Sequence, residues 1–496
     1  MSREVDLLVV GGGINGAGIA RDAAGRGLSV CLIEQADLAS FTSSASTKLI
    51  HGGLRYLEYR EFRLVREALA ERERLLAIAP HIIRPLRFVL PFAPGLRPRW
   101  QIRLGLFVYD HVGGRKRLPA SRSLDLQRHP SGAPLKSAFV HGFEYADCRV
   151  DDSRLVVLNA LDAASRGATV LTRSRLVQAH DHHGAWRAAC VDQAGRPFEM
   201  RARAIVNATG AWVNQVRSAA AMQAPERMRL IQGSHIVVQR LFEGEQAYIL
   251  QNPDRRIVFA IPFEQRFTLI GTTDIPYEGD LASVRVSPDE ISYLCESVNR
   301  YFERPVGPAD VVWSYCGVRA LRDDQAADAA AVTRDYELDL ERSASGAPLL
   351  SVIGGKITTF RRLAEAAMGK LQPLIGGSAH RWTATVPLPG GALPACDLER
   401  FLREAERRWP SMPSGLIARL ARAYGTRMEL VLRGASRPSE LGESFGADLT
   451  AAEVSYLIEH EWARTAEDIL WRRSKLGLTV GAEAAARLED YLGVTA

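Results

Sequence analysis

Short, almost wholly apolar runs recur along the chain, separated by patterns of longer period. Residues 5–10 (VDLLVV) and 28–33 (LSVCLI) have the pattern of strands buried on both faces of a parallel sheet. Between them, residues 14–26 carry Ala17, Gly18, Ala20 and Ala23 at close spacing and predict a helix held tightly against that sheet. The strand pattern returns at 203–206 (RAIV), which leads into NATGAW at 207–212, and at 349–353 (LLSVI), which leads into GGKITTF at 354–360. Beyond it, Phe360, Leu363, Ala364, Ala367 and Leu371 fall on one face of a helix, with Thr358 or Thr359 as the expected N-cap.

A different texture fills the middle of the chain. The runs 235–238 (HIVV), 247–251 (AYILQ), 256–261 (RIVFAI) and 267–271 (FTLIG) are short and split by turn-prone stretches, which predicts a largely antiparallel sheet. Residues 387–396 (PLPGGALPAC) read as a linker. Residues 397–496 show helical patterns, and Thr465 and Asp468 form a capping-box-like start before ILW. The expected architecture is α/β: a Rossmann-like dinucleotide domain, an interleaved, mostly antiparallel substrate domain and a C-terminal all-α domain. The first is assigned to 1–60, 145–215 and 315–385, the second to 61–144 and 216–314, and the third to 397–496.

The first turn carries chemistry. Gly11, Gly13 and Gly16 fit G-x-G-x-x-G between a strand and a helix, and Glu34 ends the next strand. Such a turn brings the backbone close to a pyrophosphate, whose charge meets the helix N-terminus, while the acid accepts hydrogen bonds from ribose hydroxyls. The polar stretch TSSASTK at 42–48 follows, where Ser43, Ser44 and Ser46 can reach a pyrophosphate or ribityl chain. That order favours a flavin over a nicotinamide. The turns at Ala208, Thr209 and Gly210 and at Gly354 and Gly355, with Thr358 and Thr359, are expected to border the same cofactor.

Composition narrows the remaining choices. With 47% apolar and 24% charged residues among 496, wholesale disorder is excluded. No apolar run approaches the ~20 residues of a membrane span, and the first residues lack the pattern of a signal peptide. Cys31, Cys148, Cys190, Cys295, Cys316 and Cys396 are scattered without a CxxC, so thiols in a reducing cytosol are expected and no metal site is. The net charge of +6 asks for anionic partners. Residues 84–119 hold Arg84, Arg87, Arg97, Arg99, Arg103, Arg115, Lys116 and Arg117 against one acid, Asp110. Phe88, Val89, Leu90, Phe92, Trp100, Ile102, Leu104, Leu106 and Phe107 are interleaved with them. This stretch suits an anionic lipid surface, the alternative being a solvated basic face over a core strand. No nucleic-acid motif accompanies the charge, so no nucleic-acid partner is expected.

The strings GGGINGAGIARDAAGRGLSV, TSSASTKLIHGGLRYLEYREFRLVREAL, GSHIVV, GTTD, GVRAL and GGKITT, and EHEWARTAEDILWRRSKLG at 459–477, occur in this order. Together they resemble the aerobic, FAD-dependent glycerol-3-phosphate dehydrogenases of bacteria over nearly the whole chain. The resemblance implies FAD as cofactor and oxidation of sn-glycerol 3-phosphate to dihydroxyacetone phosphate. It also implies transfer of electrons to membrane quinone by a protein lying peripherally on the cytoplasmic face of the cell membrane. An oxygen-using oxidase is the enzymatic alternative, and a homodimer is compatible with either. The resemblance places His51 beside the flavin and the substrate hydroxyl, where His51 or a water takes the proton. It makes Arg319 and Lys356 the cations facing the carbinol oxygen and flavin. Arg55, Tyr56 and Arg334, with Thr272 and Thr273, are the expected substrate contacts. Two positions depart from the family pattern: Ala320 stands where proline is expected, and Gln232 where lysine is. Arg334→Ala is expected to weaken substrate binding by about 1.5–3 kcal/mol, the range for hydrogen bonds to charged groups. Steady-state kinetics with glycerol 3-phosphate test this, and unchanged KM and kcat would refute it.

Overall fold

Residues 5–10 lie in the strand Arg3–Val10, which pairs in parallel with Val30–Ile33 on one side and Pro197–Asn207 on the other. Thr169–Leu171 extends the sheet at one edge. Pro348–Ile353 extends it at the other, where Glu337–Arg342 adds antiparallel. The computed structural model describes residues 3–58, 61–93, 98–114, 117–222, 228–254, 256–322 and 335–495. The central strands are apolar throughout because both faces are covered. Leu7 and Val9 pack under the helices Ile14–Gly25, Asp152–Ser165 and Phe360–Ile375. Leu8 and Val10 pack on the other face against Leu176 and Trp186 of the hairpin formed by Arg175–His182 and Ala185–Val191.

Among the described residues the second sheet has ten strands. The four runs expected from the sequence become Met228–Gln239, Ala247–Gln251, Ile257–Phe263 and Phe267–Gly271. Pairing is antiparallel except between Ala247–Gln251 and Ile83–Pro91. The boundaries expected at 145 and 315 fall inside the strands His141–Val150 and Val311–Arg322, both of which hydrogen-bond within this second sheet. Each is a continuous ladder of ten or more residues, a feature that short-range alternation does not reveal. One face of the sheet carries the helix Pro288–Asn299, started by a capping box between Ser287 and Glu290. The other face carries Phe62–Ile78 and Arg99–Val112.

Beyond residue 397 the helices Leu398–Arg408, Ser414–Tyr424, Ala451–Glu461 and Ala482–Thr495 enclose a core of their own, centred on Ile417, Phe445, Tyr456 and Leu457. Thr465 and Asp468 do form the reciprocal cap: Asp468 N–H donates to Thr465 Oγ1 (3.2 Å), and Thr465 N–H donates to Asp468 Oδ2 (3.1 Å). The helix they start continues as π-helix over Asp468–Arg473. The stretch 387–396 is docked rather than loose: Leu388 is buried and its N–H donates to the Ile78 carbonyl (2.9 Å).

Candidate active site

The parallel strands end level with one another, and their C-terminal turns converge on a cavity of about 320 Å³. Ala208 N–H donates to the Val10 carbonyl and Gly11 N–H to the Ile33 carbonyl, which fixes the first turn between its neighbours. Gly11 has φ +110°, and a Cβ there would stand 2.6 Å from the Ala208 carbonyl oxygen. A Cβ on Gly16 would stand 1.9 Å from the Gly11 carbonyl oxygen. Only glycine at both places lets the helix Ile14–Gly25 start this close to the strand, with its N-terminus at the cavity.

Glu34 is buried at the cavity wall. Gly12 N–H donates to its Oε2 (2.6 Å) and Ala36 N–H to its Oε1 (2.9 Å). Burial raises its carboxyl pKa, and those two backbone donors oppose the rise. Ser43 Oγ accepts from Ile14 N–H (3.0 Å), which seats the serine loop on the helix N-terminus. Asn15 Nδ2 donates to the Gly354 carbonyl (3.2 Å), joining the first turn to the third. A cradle of glycine turns, a helix N-terminus and an acid at the end of the second strand fits an adenine dinucleotide.

The far end of the cavity holds the expected chemistry. His51, Tyr56, Thr272, Arg319 and Lys356 line it together, although they come from segments some 300 residues apart. His51 N–H donates to Thr358 Oγ1 (3.2 Å), tying the histidine segment to the GGKITT turn. Thr358 is therefore a bridge and not a helix cap. Thr359 occupies the N-cap position of Phe360–Ile375 without a capping side-chain bond. Lys356 Nζ stands 3.7 Å from the centre of the Tyr56 ring. Arg319 Nη1 donates to Asp274 Oδ1 (2.5 Å), and its Nη2 lies 3.4 Å from Thr272 Oγ1.

Gly13, Ser46, Ala208, Thr209, Gly210 and Gly355 also line the cavity. Gly16, Ser44, Arg55, Thr273 and Thr359 stand back from it. Gly16 is there for packing. Ser44 Oγ donates to the Phe41 carbonyl within its own turn (3.1 Å). Thr273 is buried, its Oγ1 accepting from Ser234 N–H (2.9 Å) and donating to Glu290 Oε1 (2.7 Å). Ser46 faces the cavity, but its hydroxyl donates to Asp152 Oδ2 (2.7 Å). Arg55 lies in the 3-10 turn Leu54–Leu57. Arg334 lies outside the described residues.

Gln232 is buried below the cavity, where its Nε2 donates to Glu290 Oε2 (2.8 Å) and to the Arg285 carbonyl (3.0 Å). Ala320 sits inside a ladder opposite Leu230, where proline would have no N–H to give.

The structure adds His235 to the expected residues. It is fully buried, stacked on Tyr315 with centroids 4.9 Å apart, and its Nε2 lies 3.0 Å from Thr47 Oγ1 in the cavity wall. Burial, with Arg319 and Lys48 nearby, holds its pKa well below the ordinary histidine value, so the ring is neutral. The signal for it was a histidine set within the apolar run of GSHIVV.

Comparison with known proteins agrees with this geometry. Residues 6–361 match the FAD dependent oxidoreductase family, and residues 381–495 match the C-terminal domain of alpha-glycerophosphate oxidase. A glycerol-3-phosphate dehydrogenase of Pseudomonas aeruginosa is 55% identical over 98% of this chain and 94% of its own. A D-erythritol 1-phosphate dehydrogenase of Brucella abortus is 52% identical over 98% of this chain and 97% of its own. The X-ray structure of the glycerol-3-phosphate dehydrogenase from Bacillus halodurans complexed with FAD superposes with a TM-score of 0.77. It is 28% identical and covers 99% of this chain and 94% of that one.

Gly16→Ala tests the close approach of helix and strand. The added methyl must push the helix off the first turn, with an expected loss of about 1–3 kcal/mol in stability, the usual cost of overpacking. Flavin content of the purified protein should fall as well. Unfolding in urea and flavin absorbance read the two effects, and a variant matching the parent in both would refute the packing argument.

Proposed function

The chain belongs to the FAD-dependent glycerol-3-phosphate dehydrogenases, within the FAD dependent oxidoreductase family, and on that premise we propose how its residues divide the work. The reaction is the oxidation of sn-glycerol 3-phosphate to dihydroxyacetone phosphate. The observation that carries the assignment is that the dinucleotide cradle and the group His51, Tyr56, Arg319 and Lys356 share one cavity.

The residues that would hold FAD are Gly11, Gly13, the N-terminus of Ile14–Gly25, Glu34, Ser43 and the turns at 208–210 and 354–355. When bound, FAD supplies the hydride acceptor. The rest is the work of side chains. Arg319 keeps its proton, since guanidinium pKa values exceed ~12, so it serves as a donor to the developing alkoxide and not as a base. Its bond to Asp274 fixes the plane in which its remaining N–H groups point. Lys356, held over Tyr56, adds a second positive charge on the same side. The proton leaves to His51 or to a water beside it. Arg334 supplies the phosphate anchor, for which the guanidinium fork is suited; Arg55, also expected there, stands back from the cavity.

A phosphorylated tetritol is the second reading, favoured by the near-equal identity to the D-erythritol 1-phosphate dehydrogenase. Both substrates can be tried in one experiment. Anaerobic addition of glycerol 3-phosphate to the oxidised holoenzyme is expected to bleach the flavin spectrum. Bleaching by D-erythritol 1-phosphate alone would favour the second reading, and an intact flavin unbleached by either would defeat both. Re-oxidation on adding quinone, and not on adding oxygen, is the expected sequel.

We assign the surface around the helix Arg99–Val112 to an anionic membrane surface. Among the described residues no helix is long and apolar enough to cross a membrane. Within 84–119 the large apolar residues of the strand are withheld from such a surface, because Leu86, Phe88, Val89 and Leu90 are buried core. The helix differs: Trp100, Leu104 and Phe107 are 69%, 54% and 53% exposed on one face, beside Arg99 and Arg103. On its inner face Tyr109 accepts from Gly52 N–H (2.8 Å) and donates to Asp147 Oδ2 (2.7 Å), so the helix is bonded to the residue next to His51. The protein should float with phosphatidylglycerol vesicles at low salt and remain behind when Trp100, Leu104 and Phe107 are all changed to Ser. Failure of the parent to float would refute the assignment.

A further inference from the structure

The C-terminal helices meet the cofactor loop through buried charge. Asp37 lies three residues after Glu34 and is 2% exposed. Arg472 Nε donates to its Oδ2 (2.8 Å), Arg473 Nη1 to the same oxygen (2.7 Å) and Arg473 Nη2 to its Oδ1 (2.8 Å). Both arginines belong to the π-helix Asp468–Arg473. They are themselves fixed: Arg473 donates to the Glu461 carbonyl (2.6 Å), and Arg472 to Asp468 (2.5 Å). Arg173 bonds Asp468 as well (2.6 Å). A second arm runs beside the first. Lys475 Nζ donates to Ser153 Oγ (2.7 Å), next to Asp152, which accepts from Lys48 Nζ (2.8 Å) and Ser46 Oγ (2.7 Å).

Both arms end on the cavity wall. Ala39 N–H, two residues beyond Asp37, donates to the Gly12 carbonyl in the glycine turn (3.2 Å), and Ala39, Phe41, Ser43 and Ser46 all line the cavity. Two domains can be docked by apolar contact alone, and buried ion pairs add little net stability over apolar packing of equal volume. What buried pairs do impose is one geometry, because any other leaves a charge without its partner. Here that geometry is the conformation of the loop 35–46. The contact is made by a π-helical turn, an irregularity found often at functional positions.

We propose that the segment 468–475 is a latch on the cofactor loop: it holds residues 35–46 in the shape that receives FAD, and bound FAD in turn holds the C-terminal domain closed on the loop. Asp37, Arg472 and Arg473 are then positioning residues for the cofactor, acting through the loop. Such coupling between two sites is reciprocal. The proposal rests on the reading of the cavity as an FAD site.

The test uses the full-length holoenzyme and its Asp37→Asn variant. FAD release is followed by the rise in flavin fluorescence on dilution, and melting is measured with and without FAD. The variant is expected to release FAD at least tenfold faster and to lose more melting temperature with FAD than without it. Release within twofold of the parent would overturn the latch, and so would an equal loss of melting temperature with and without FAD, which marks a merely structural contact. Arg472→Gln removes fewer bonds and is read in the same way if Asp37→Asn does not fold. In the parent, FAD should slow amide exchange across 468–475, and unchanged exchange would overturn the proposal. A parent that binds no FAD at all would instead defeat the underlying reading of the cavity.

Discussion

The Gly11 carbonyl oxygen occupies the space where any side chain on Gly16 would begin. That contact sets how closely the first helix approaches the first strand, and the site is organised around it. Because the helix begins there, the N–H of Ile14 meets Ser43 and the side chain of Asn15 meets the Gly354 carbonyl. The serine loop and the GGKITT turn thus take their places from the same helix end. Thr358 then carries the position on to His51. A chain of hydrogen bonds of 3.0–3.2 Å runs from a backbone contact between two glycines to a histidine at the other end of the cavity, so a shift at the first is passed to the last.

Local patterns were legible in the sequence and distant pairings were not. The strands at 5–10, 203–206 and 349–353 announce themselves by apolar residues on both faces, which only a doubly covered sheet requires. The glycine motif is legible from its spacing between strand and helix, although of its glycines only Gly16 is crowded by a near neighbour, the Gly11 carbonyl, while Gly11 is crowded by Ala208. Asp37 and Arg473 are 436 residues apart, and nothing in either neighbourhood names the other. Ser44 and Ser46 show the limit well. As hydroxyls in a polar loop they looked equivalent to Ser43, but only the folded chain decides that Ser44 closes its own turn and Ser46 bonds Asp152. His235 is hidden for a related reason: its ring meets Thr47 of the cavity wall across 188 residues of sequence, so no chemical motif contains both.

The charge of the chain is sorted in the same manner. Arg21, Arg154, Arg217, Arg361 and Arg473 are almost completely buried, and each meets a carboxylate: Asp162, Glu461, Asp339, Glu71 and Asp37 respectively. These cations are therefore spent inside the fold and contribute nothing to the attraction of external anions. Arginine suits such places because its fork makes two bonds at once and it is less strongly hydrated than lysine. Anion attraction falls to the cations left at the cavity and on the surface, chiefly Lys356 at the first and Arg99 and Arg103 beside the exposed helix face.

Arg319 stands between these two classes, and its position explains the chemistry asked of it. Fully exposed it would be screened by water. It is 26% exposed and bonded on one nitrogen to Asp274, with a second nitrogen near Thr272. The carboxylate restrains the rotation of the guanidinium, which lines the cavity. In the role proposed for Arg319, an alkoxide forming there would meet a donor already oriented, so little reorganisation would be required when the charge develops. A lysine at 319 could carry the same charge. It could not be held in a plane by one partner while presenting donors to another, which is the property this corner of the cavity uses.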